Sequence, residues 1–246
     1  MTTAMTTADD IRQLAPTGKL RGGVVVAPVG SAFFAIKDSK GEVKGVTVDL
    51  LRAFAAKLGL PLEMQVYDNS GQVTDAVNKG TCDVAFMPHD AARAEKVDFG
   101  PAYFIIESTY LVPAGSAIKT IDEVNRKGVR IVAISNTTTG RSAARTAPNA
   151  VVSEVPSVDL MTEMARKGEG DAFALTHDSL APLMPKLPGA RILPGHFQQT
   201  GINVAVPKGR AAALKVATVL LDDAKTSGAV RRAFDAAGLK DGAVAP

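Results

Sequence analysis

The sequence contains no tryptophan, one cysteine and three histidines in 246 residues. A single cysteine, Cys82, rules out an internal disulfide and leaves the redox compartment open. His89, His177 and His196 are too widely spaced to suggest a metal site. Nothing around Cys82 has metal-ligand spacing, and its expected place is that of a small buried hydrophobe at a strand start. There is no GxxxxGK[ST], no GxGxxG after a strand and no HExxH, so phosphate loops and the common zinc-hydrolase sites have no support. A Gly-x-Ser-x-Gly elbow is also missing, and Cys82 has no histidine near it in sequence. No cofactor, metal or catalytic residue is therefore expected. No apolar run approaches the roughly 18 residues of a membrane-spanning helix, so a soluble protein is expected. Lys and Arg number 28 against 25 Asp and Glu, without a run of five like charges, and nucleic acid is not an expected partner. Met1 to Leu20 carries Asp9, Asp10 and Arg12 among Thr and Ala, without the basic flank and apolar segment of a secretory signal.

At 46% hydrophobic, the chain can bury one large core or two modest ones. Short β-rich runs alternate with helical patterns, which points to α/β layering with mainly parallel strands. Gly22 to Val29 reads as a strand and Asp49 to Leu58 as a helix ended by Gly59. Leu62 to Tyr67 is a strand, Gly71 to Lys79 a helix and Asp83 to Met87 a strand. The order recurs with strand Val129 to Ile134, helix Thr138 to Thr146, strand Val151 to Val155, helix Ser157 to Lys167 and strand Ala172 to Thr176. These read as two similar β-α-β-α-β units. Thr120 and Glu123 have capping-box spacing just before the second.

STYLVPAG at Ser108 to Gly115 and INVAVPKG at Ile202 to Gly209 both end in Val-Pro-x-Gly. Pro cannot extend a sheet ladder and Gly permits the turn, so both segments read as strands that cross between units. The expected organisation is an N-terminal tail, 1–18, a first lobe of 19–111 plus 204–246, and a second lobe of 112–203. Helices between Ala211 and Leu239 would pack back on the first lobe. Two crossing strands make a natural hinge, with a ligand cleft between lobes.

Ala92-Arg93-Ala94-Glu95-Lys96-Val97-Asp98-Phe99-Gly100-Pro101-Ala102-Tyr103 resembles the R-x-x-x-V-D-F-[SG]-x-P-Y region of family 3 solute-binding proteins, the polar amino-acid type that serve ABC importers. Gly45 to Leu50 is similar to that family's G-[FY]-x-V-D-L, Gly80 to Asp83 to its G-x-x-D strand start, and Gly170 to Phe173 to the second-lobe counterpart. The resemblance implies an α/β fold of two Rossmann-like lobes joined by two crossing hinge strands, the periplasmic-binding-protein type II. It implies capture of a small carboxylate or amino-acid-like solute by hinged closure, a monomer, an ABC permease at the membrane as partner, and a periplasmic location. With no signal in this chain, a cytoplasmic location is the alternative. Cyclohexadienyl dehydratases resemble the chain too, and an enzyme of that kind needs a general acid, for which His89, His177 or Asp178 could serve. A cytoplasmic small-molecule sensor is a further reading.

The resemblance also implies that Arg93 receives the ligand carboxylate, for which a planar guanidinium fork is suited. The alternative is a surface Arg with its head in water. In the ligand role Arg93 is expected to support no core. Thr137, Thr138 and Thr139 stand at the family's second-lobe helix start, where unpaired N–H groups welcome an anion, unless they only cap their own helix. The family's acidic residue falls on Thr176, with Asp178 two positions on, so the ligand's amino group is not expected to dominate recognition. Pro88-His89-Asp90 stands where the family often has a Thr on the carboxylate, making His89 a candidate replacement or else an exposed loop histidine. Phe33 and Phe34 are an apolar wall or plain core, Ser70 caps a helix or offers its N-terminus to the ligand, and Met87 completes the candidate set.

Overall fold

A computed structural model describes residues 6–26, 31–240 and 242–246. The chain forms two compact units, Met1–Ile105 with Gly201–Pro246, and Ile106–Thr200. The stretch read as a tail carries helix α1 (Ala8–Leu14), because Thr7 and Asp10 form a reciprocal capping box. Leu14 is buried, and Lys215 reaches Asp10 at 3.0 Å.

Strand β1 (Leu20–Val25) is followed by a short antiparallel ribbon of β2 (Ile36–Lys37) and β3 (Val43–Lys44). The expected extension of β1 through Ala27 to Val29 lies outside the described residues. Helix α2 (Val46–Leu58) starts three residues ahead of expectation, directly after Gly45, and buries Val46, Leu50, Leu51 and Phe54. Then come β4 (Leu62–Tyr67), α3 (Ser70–Asn78), β5 (Val84–Pro88), the single turn α4 (Ala91–Ala94) and the long β6 (Val97–Val112).

Within β6 the chain passes into the second unit. A 3-10 turn (Asp122–Val124) precedes β7, and Glu123 accepts from the Lys119 and Thr120 N–H groups, the acidic half of the expected capping box. The unit continues with β7 (Arg130–Ile134), α5 (Thr138–Thr146), β8 (Val151–Val155), α6 (Val158–Lys167), β9 (Ala172–Thr176), the one-turn α7 (His177–Leu180) and β10 (Arg191–Ile192). Strand β11 (Gln198–Pro207) returns the chain to the first unit, which α8 (Ala211–Thr226) and α9 (Ala229–Ala236) complete.

The first unit orders its strands β4-β1-β5-β11, with β11 antiparallel to β5 and the others parallel. The second orders them β6-β9-β7-β8, with β6 antiparallel to β9 and the others parallel. In each unit the first strand of the β-α-β-α-β run lies between the second and the third. Connections diverge at the first and third strands, which opens a crevice at their carboxyl ends. That crevice falls at β1/β5 in one unit and at β7/β9 in the other.

Both strand pairs are clamped at their opposite, amino ends by the same construction. Asp83 accepts from the backbone N–H and Nε of Arg21, each at 3.0 Å, and from Nη2 at 2.5 Å, while Nη2 also donates to Gly80 O at 2.8 Å. Asp171 accepts from the N–H of Arg130 at 2.8 Å, its Nε at 3.1 Å and its Nη2 at 2.8 Å, while Nη2 donates to Gly168 O at 3.0 Å. Gly80 and Gly168 sit at φ 69° and 68°, the left-handed region that ends a helix with its carbonyl turned out. This corrects the motif reading in the second unit: the glycine matching Gly80 is Gly168, three residues before Asp171, and not Gly170. Cys82, beside the first clamp, is wholly buried, and that burial pushes its thiol pKa up to about 12.

The Asp98 of the V-D-F segment is also structural. It pairs with Lys208 at 2.9 Å and accepts from Gly209 N–H at 2.7 Å, tying the start of β6 to the turn after β11.

The Asp83 side chain is fully buried and that of Arg21 is 18% exposed, whereas Asp171 and Arg130 are 35% and 51% exposed. Breaking a buried pair typically costs about 3–5 kcal/mol and an exposed one about 1 kcal/mol or less. Urea unfolding should therefore show Asp83→Ala destabilising by about 3 kcal/mol and Asp171→Ala by about a third of that; equal losses would discount burial as the cause.

The Lys208 hydrogen bond holds the Asp98 pKa below the ordinary carboxylate value in the folded state. Its stabilisation is thus present above the unfolded value, about 3.9, and is lost as pH falls through the folded one. Asp98→Asn should lower the unfolding temperature at pH 7 more than at pH 3, a difference thermal melts at the two pH values will register.

Candidate functional site

At the carboxyl end of β5 the chain turns through Pro88, His89 and Asp90 into α4. Asp90 caps that turn, its Oδ1 accepting the Arg93 N–H at 2.9 Å. The Arg93 side chain then folds back under the strand end. Nη1 donates to Pro88 O at 3.0 Å, Nη2 donates to Ser70 Oγ at 2.7 Å, and Nη1 lies 3.6 Å from Asp90 Oδ2. Arg93 is only 4% exposed. It is thus neither a surface arginine nor a residue without a structural role, because its guanidinium ties together β5, the first residue of α3 and the α4 cap. Ser70 is in place to hold Arg93, and the cap of α3 is Asn69, whose side chain accepts from Gln72 N–H at 2.9 Å.

Other candidates of this unit lie elsewhere. Met87 is wholly buried, packed in the core with Val73, Val77 and Cys82, its sulfur 3.2 Å from Thr74 Oγ1. Both faces of β5 are covered, so strand alternation does not free it. Phe33 is plain core, stacked on Phe104 at 3.8 Å and edge-on to Phe234 at 5.4 Å. Phe34 is half-buried, and its carbonyl accepts from the Thr47 hydroxyl at 2.9 Å. His89 is exposed, with its ring 4.7 Å from that of Phe99.

In the second unit the carboxyl end of β7 leads into α5 through Asn136, the one non-glycine residue with positive φ (59°) among the described residues. Asn tolerates that conformation better than most residues. Thr137 follows as the cap: it donates to Ile134 O at 2.7 Å and accepts from Gly140 N–H at 3.0 Å. Thr138 and Thr139 are buried, and the Thr139 hydroxyl is 3.0 Å from that of Ser108 on β6. Ser108 pairs in register with Thr176, the last residue of β9, whose hydroxyl donates to Ser179 Oγ at 2.8 Å. The fold thus gathers Thr137, Thr138, Thr139 and Thr176 at one end of this unit, with Ser108 added. Asp178, half-buried, lies in the first turn of α7.

The clamps show how the two ends correspond. Counting from Asp83, the chain reads Asp-Val-Ala-Phe-Met-Pro-His-Asp to Asp90; from Asp171 it reads Asp-Ala-Phe-Ala-Leu-Thr-His-Asp to Asp178. Pro88 matches Thr176, and Asp90 matches Asp178. Reading these two segments against each other would have drawn attention to Asp90 from sequence.

The profile of the bacterial extracellular solute-binding proteins, family 3, matches residues 24–236, and the chain belongs to that family. It is similar to the ABC transporter glutamine-binding protein GlnH of Bacillus subtilis, 26% identical over 200 residues, which are 79% of this chain and 73% of that protein. It is also similar to the membrane-bound lytic murein transglycosylase F of Haemophilus influenzae, 36% identical over 87 residues, but that match takes in 34% of this chain and 17% of the transglycosylase. Among solved structures, an ancestral amino acid-binding protein described as a precursor of cyclohexadienyl dehydratase superposes with a TM-score of 0.74 at 22% identity, covering 92% of this chain and 98% of that one. That likeness establishes the fold, a periplasmic-binding-protein type II architecture. Membership of that family makes this a solute-binding protein.

Losing a helix cap costs about 1 kcal/mol, and Asn caps as well as Thr. Thr137→Ala should therefore lower unfolding stability by about that amount and Thr137→Asn by much less, as read in urea titrations. Equal losses would mean that the donation to Ile134 O, rather than the cap, is what counts.

Proposed function

We propose that this protein captures an amino-acid-like solute outside the cytoplasm and presents it to an ABC permease. Arg93 receives the solute's carboxylate in the first unit, and in the second unit taken by itself the α5 start at Thr137–Thr139 is a candidate anion position. The observation that carries this reading is the Arg93 guanidinium held by Ser70 and Pro88 at the carboxyl end of β5, the crevice position of that sheet. A fork fixed in plane loses little freedom on meeting a carboxylate, and each charge-assisted bond contributes about 1.5–3 kcal/mol. In the second unit, the positive dipole end of the nine-residue α5 favours an anion. The chain passes from one unit to the other within β6 and again at β11.

Binding without turnover separates this role from a dehydratase-like enzyme. After incubation with excess protein, the solute should be recovered unchanged and in stoichiometric amount, whereas conversion of prephenate or arogenate would favour catalysis. Fractionation of the native gene product, expected outside the cytoplasm, separates the importer component from a cytoplasmic sensor.

Arg93→Lys keeps the charge but loses the fork. Titration calorimetry should show at least a tenfold weaker affinity for carboxylate solutes, with the fold retained. Arg93→Ala should abolish binding and also lower stability, because it removes the hydrogen bonds that tie β5 at Pro88 to Ser70 of α3. Wild-type affinity in Arg93→Lys would remove Arg93 from the site.

A further inference from the structure

The turn that carries Arg93 is held from outside itself. Helix α4 is a single turn of four residues, too short to be stable on its own bonds. Asp90 caps its start, and at its end the Arg93 carbonyl accepts from the Lys96 N–H at 2.9 Å. The next carbonyl, that of Ala94, lies past the last helical bond and accepts instead from Lys208 Nζ at 2.7 Å. Lys208 follows directly on the end of β11, 114 residues further along the chain. The same strand meets the other end of the segment. Gly201 O accepts the His89 N–H at 3.0 Å, and Ile202 and Asn203 pair in register with Pro88 and Met87. Residues 201–208 of the first unit therefore bracket the Arg93 turn, with main-chain bonds on the strand side and the Lys208 ammonium on the helix side. Lys208 has a second partner, Asp98 at 2.9 Å, which fixes where that ammonium sits.

We propose that Lys208 is a positioning residue for solute binding: by holding Ala94 O it fixes the α4 turn, and with it the Arg93 guanidinium, in the pose that meets a carboxylate. The proposal rests on Arg93 as the receiver of that carboxylate. Arg93 reaches Ser70 and Pro88 from a backbone set by α4, so its head group is only as well placed as that turn. A group ordered before the solute arrives spares the cost of ordering it on binding. The Lys208 side chain is half exposed, and exposed ion pairs add little to overall stability, so its part falls on affinity rather than on unfolding.

Lys208→Met keeps the stem and removes the ammonium, Lys208→Arg restores a charged donor, and Lys208→Ala serves should Lys208→Met fold poorly. The probes are L-glutamine, L-arginine and L-cysteine, titrated calorimetrically into the whole chain. Lys208→Met should weaken the amino acid that binds by about fivefold, the order of effect of one side chain left to be ordered on binding. Lys208→Arg should recover most of that loss. In an Arg93→Lys background, where the fork is already gone, Lys208→Met should change affinity by less than about twofold while shifting the urea midpoint as it does in the wild type. Asp98→Asn removes the ion pair but leaves Ala94 O to Lys208, and its affinity should stay within about twofold of the wild type. Amide hydrogen exchange should quicken at Arg93, Ala94 and Glu95 in Lys208→Met and not in Asp98→Asn. Wild-type affinity in Lys208→Met, equal losses from it in both backgrounds, or an equal loss in Asp98→Asn overturns the proposal and leaves the Arg93 reading intact. If Arg93→Lys alone binds as the wild type does, or none of the three amino acids binds, the parent reading falls with it.

Discussion

Each unit depends on one carboxylate that holds an arginine at the first step of a parallel strand pair. Parallel strands have no tight turn to set their register, and a slip of one residue would turn every side chain to the opposite face. Asp83 and Asp171 remove that freedom. Each takes both the backbone N–H and the side chain of the arginine opening the neighbouring strand, and its own N–H donates to that arginine's carbonyl at 2.8 Å. The arginine in turn reaches the glycine carbonyl that ends the preceding helix, so strand start, strand partner and helix end are fixed by one set of hydrogen bonds.

The consequence appears at the far end of the strands. Five residues at about 3.3 Å each carry the chain roughly 16 Å from the clamp to Pro88 and to Thr176. Because both clamps fix the same pair of strands in the same register, the two units bring equivalent positions to their crevices. The family's G-x-x-D signature is thus a structural device at the end of the strands opposite the crevice. Asp98 of the V-D-F signature is likewise engaged by Lys208 and Gly209. Arg93, by contrast, stands at a crevice, and it is buried too.

This distribution explains what could be read in the sequence. Strands β4, β8 and β9 and helix α5 fall where periodicity and caps placed them, because their signals are local. The single turns α4 and α7 and the ribbon of β2 and β3 are too short for any period to show, and helix α1 has too few apolar residues to look amphipathic. Arg93 was expected to stand apart from the core. Its burial depends on Ser70, 23 residues earlier, and on a carbonyl, neither of which a pattern can register. Phe33 and Phe34 read equally as wall or core, and it is the rings of Phe104 and Phe234, distant in sequence, that make Phe33 core.

The buried arginine is also an argument about how such a receptor can be selective. A guanidinium free in water would meet any anion, but it would have to lose its hydration and its rotamer freedom on each encounter. Arg93 has met part of that cost in folding: its plane is set by Ser70 and Pro88, and its charge is partly balanced by Asp90. A charge balanced in this way pulls less strongly on anions in general than a free guanidinium does. The same segment in the second unit has Thr176 in place of Pro88 and Asp178 set within a helical turn instead of capping one, and the clamp behind it is built in the same way.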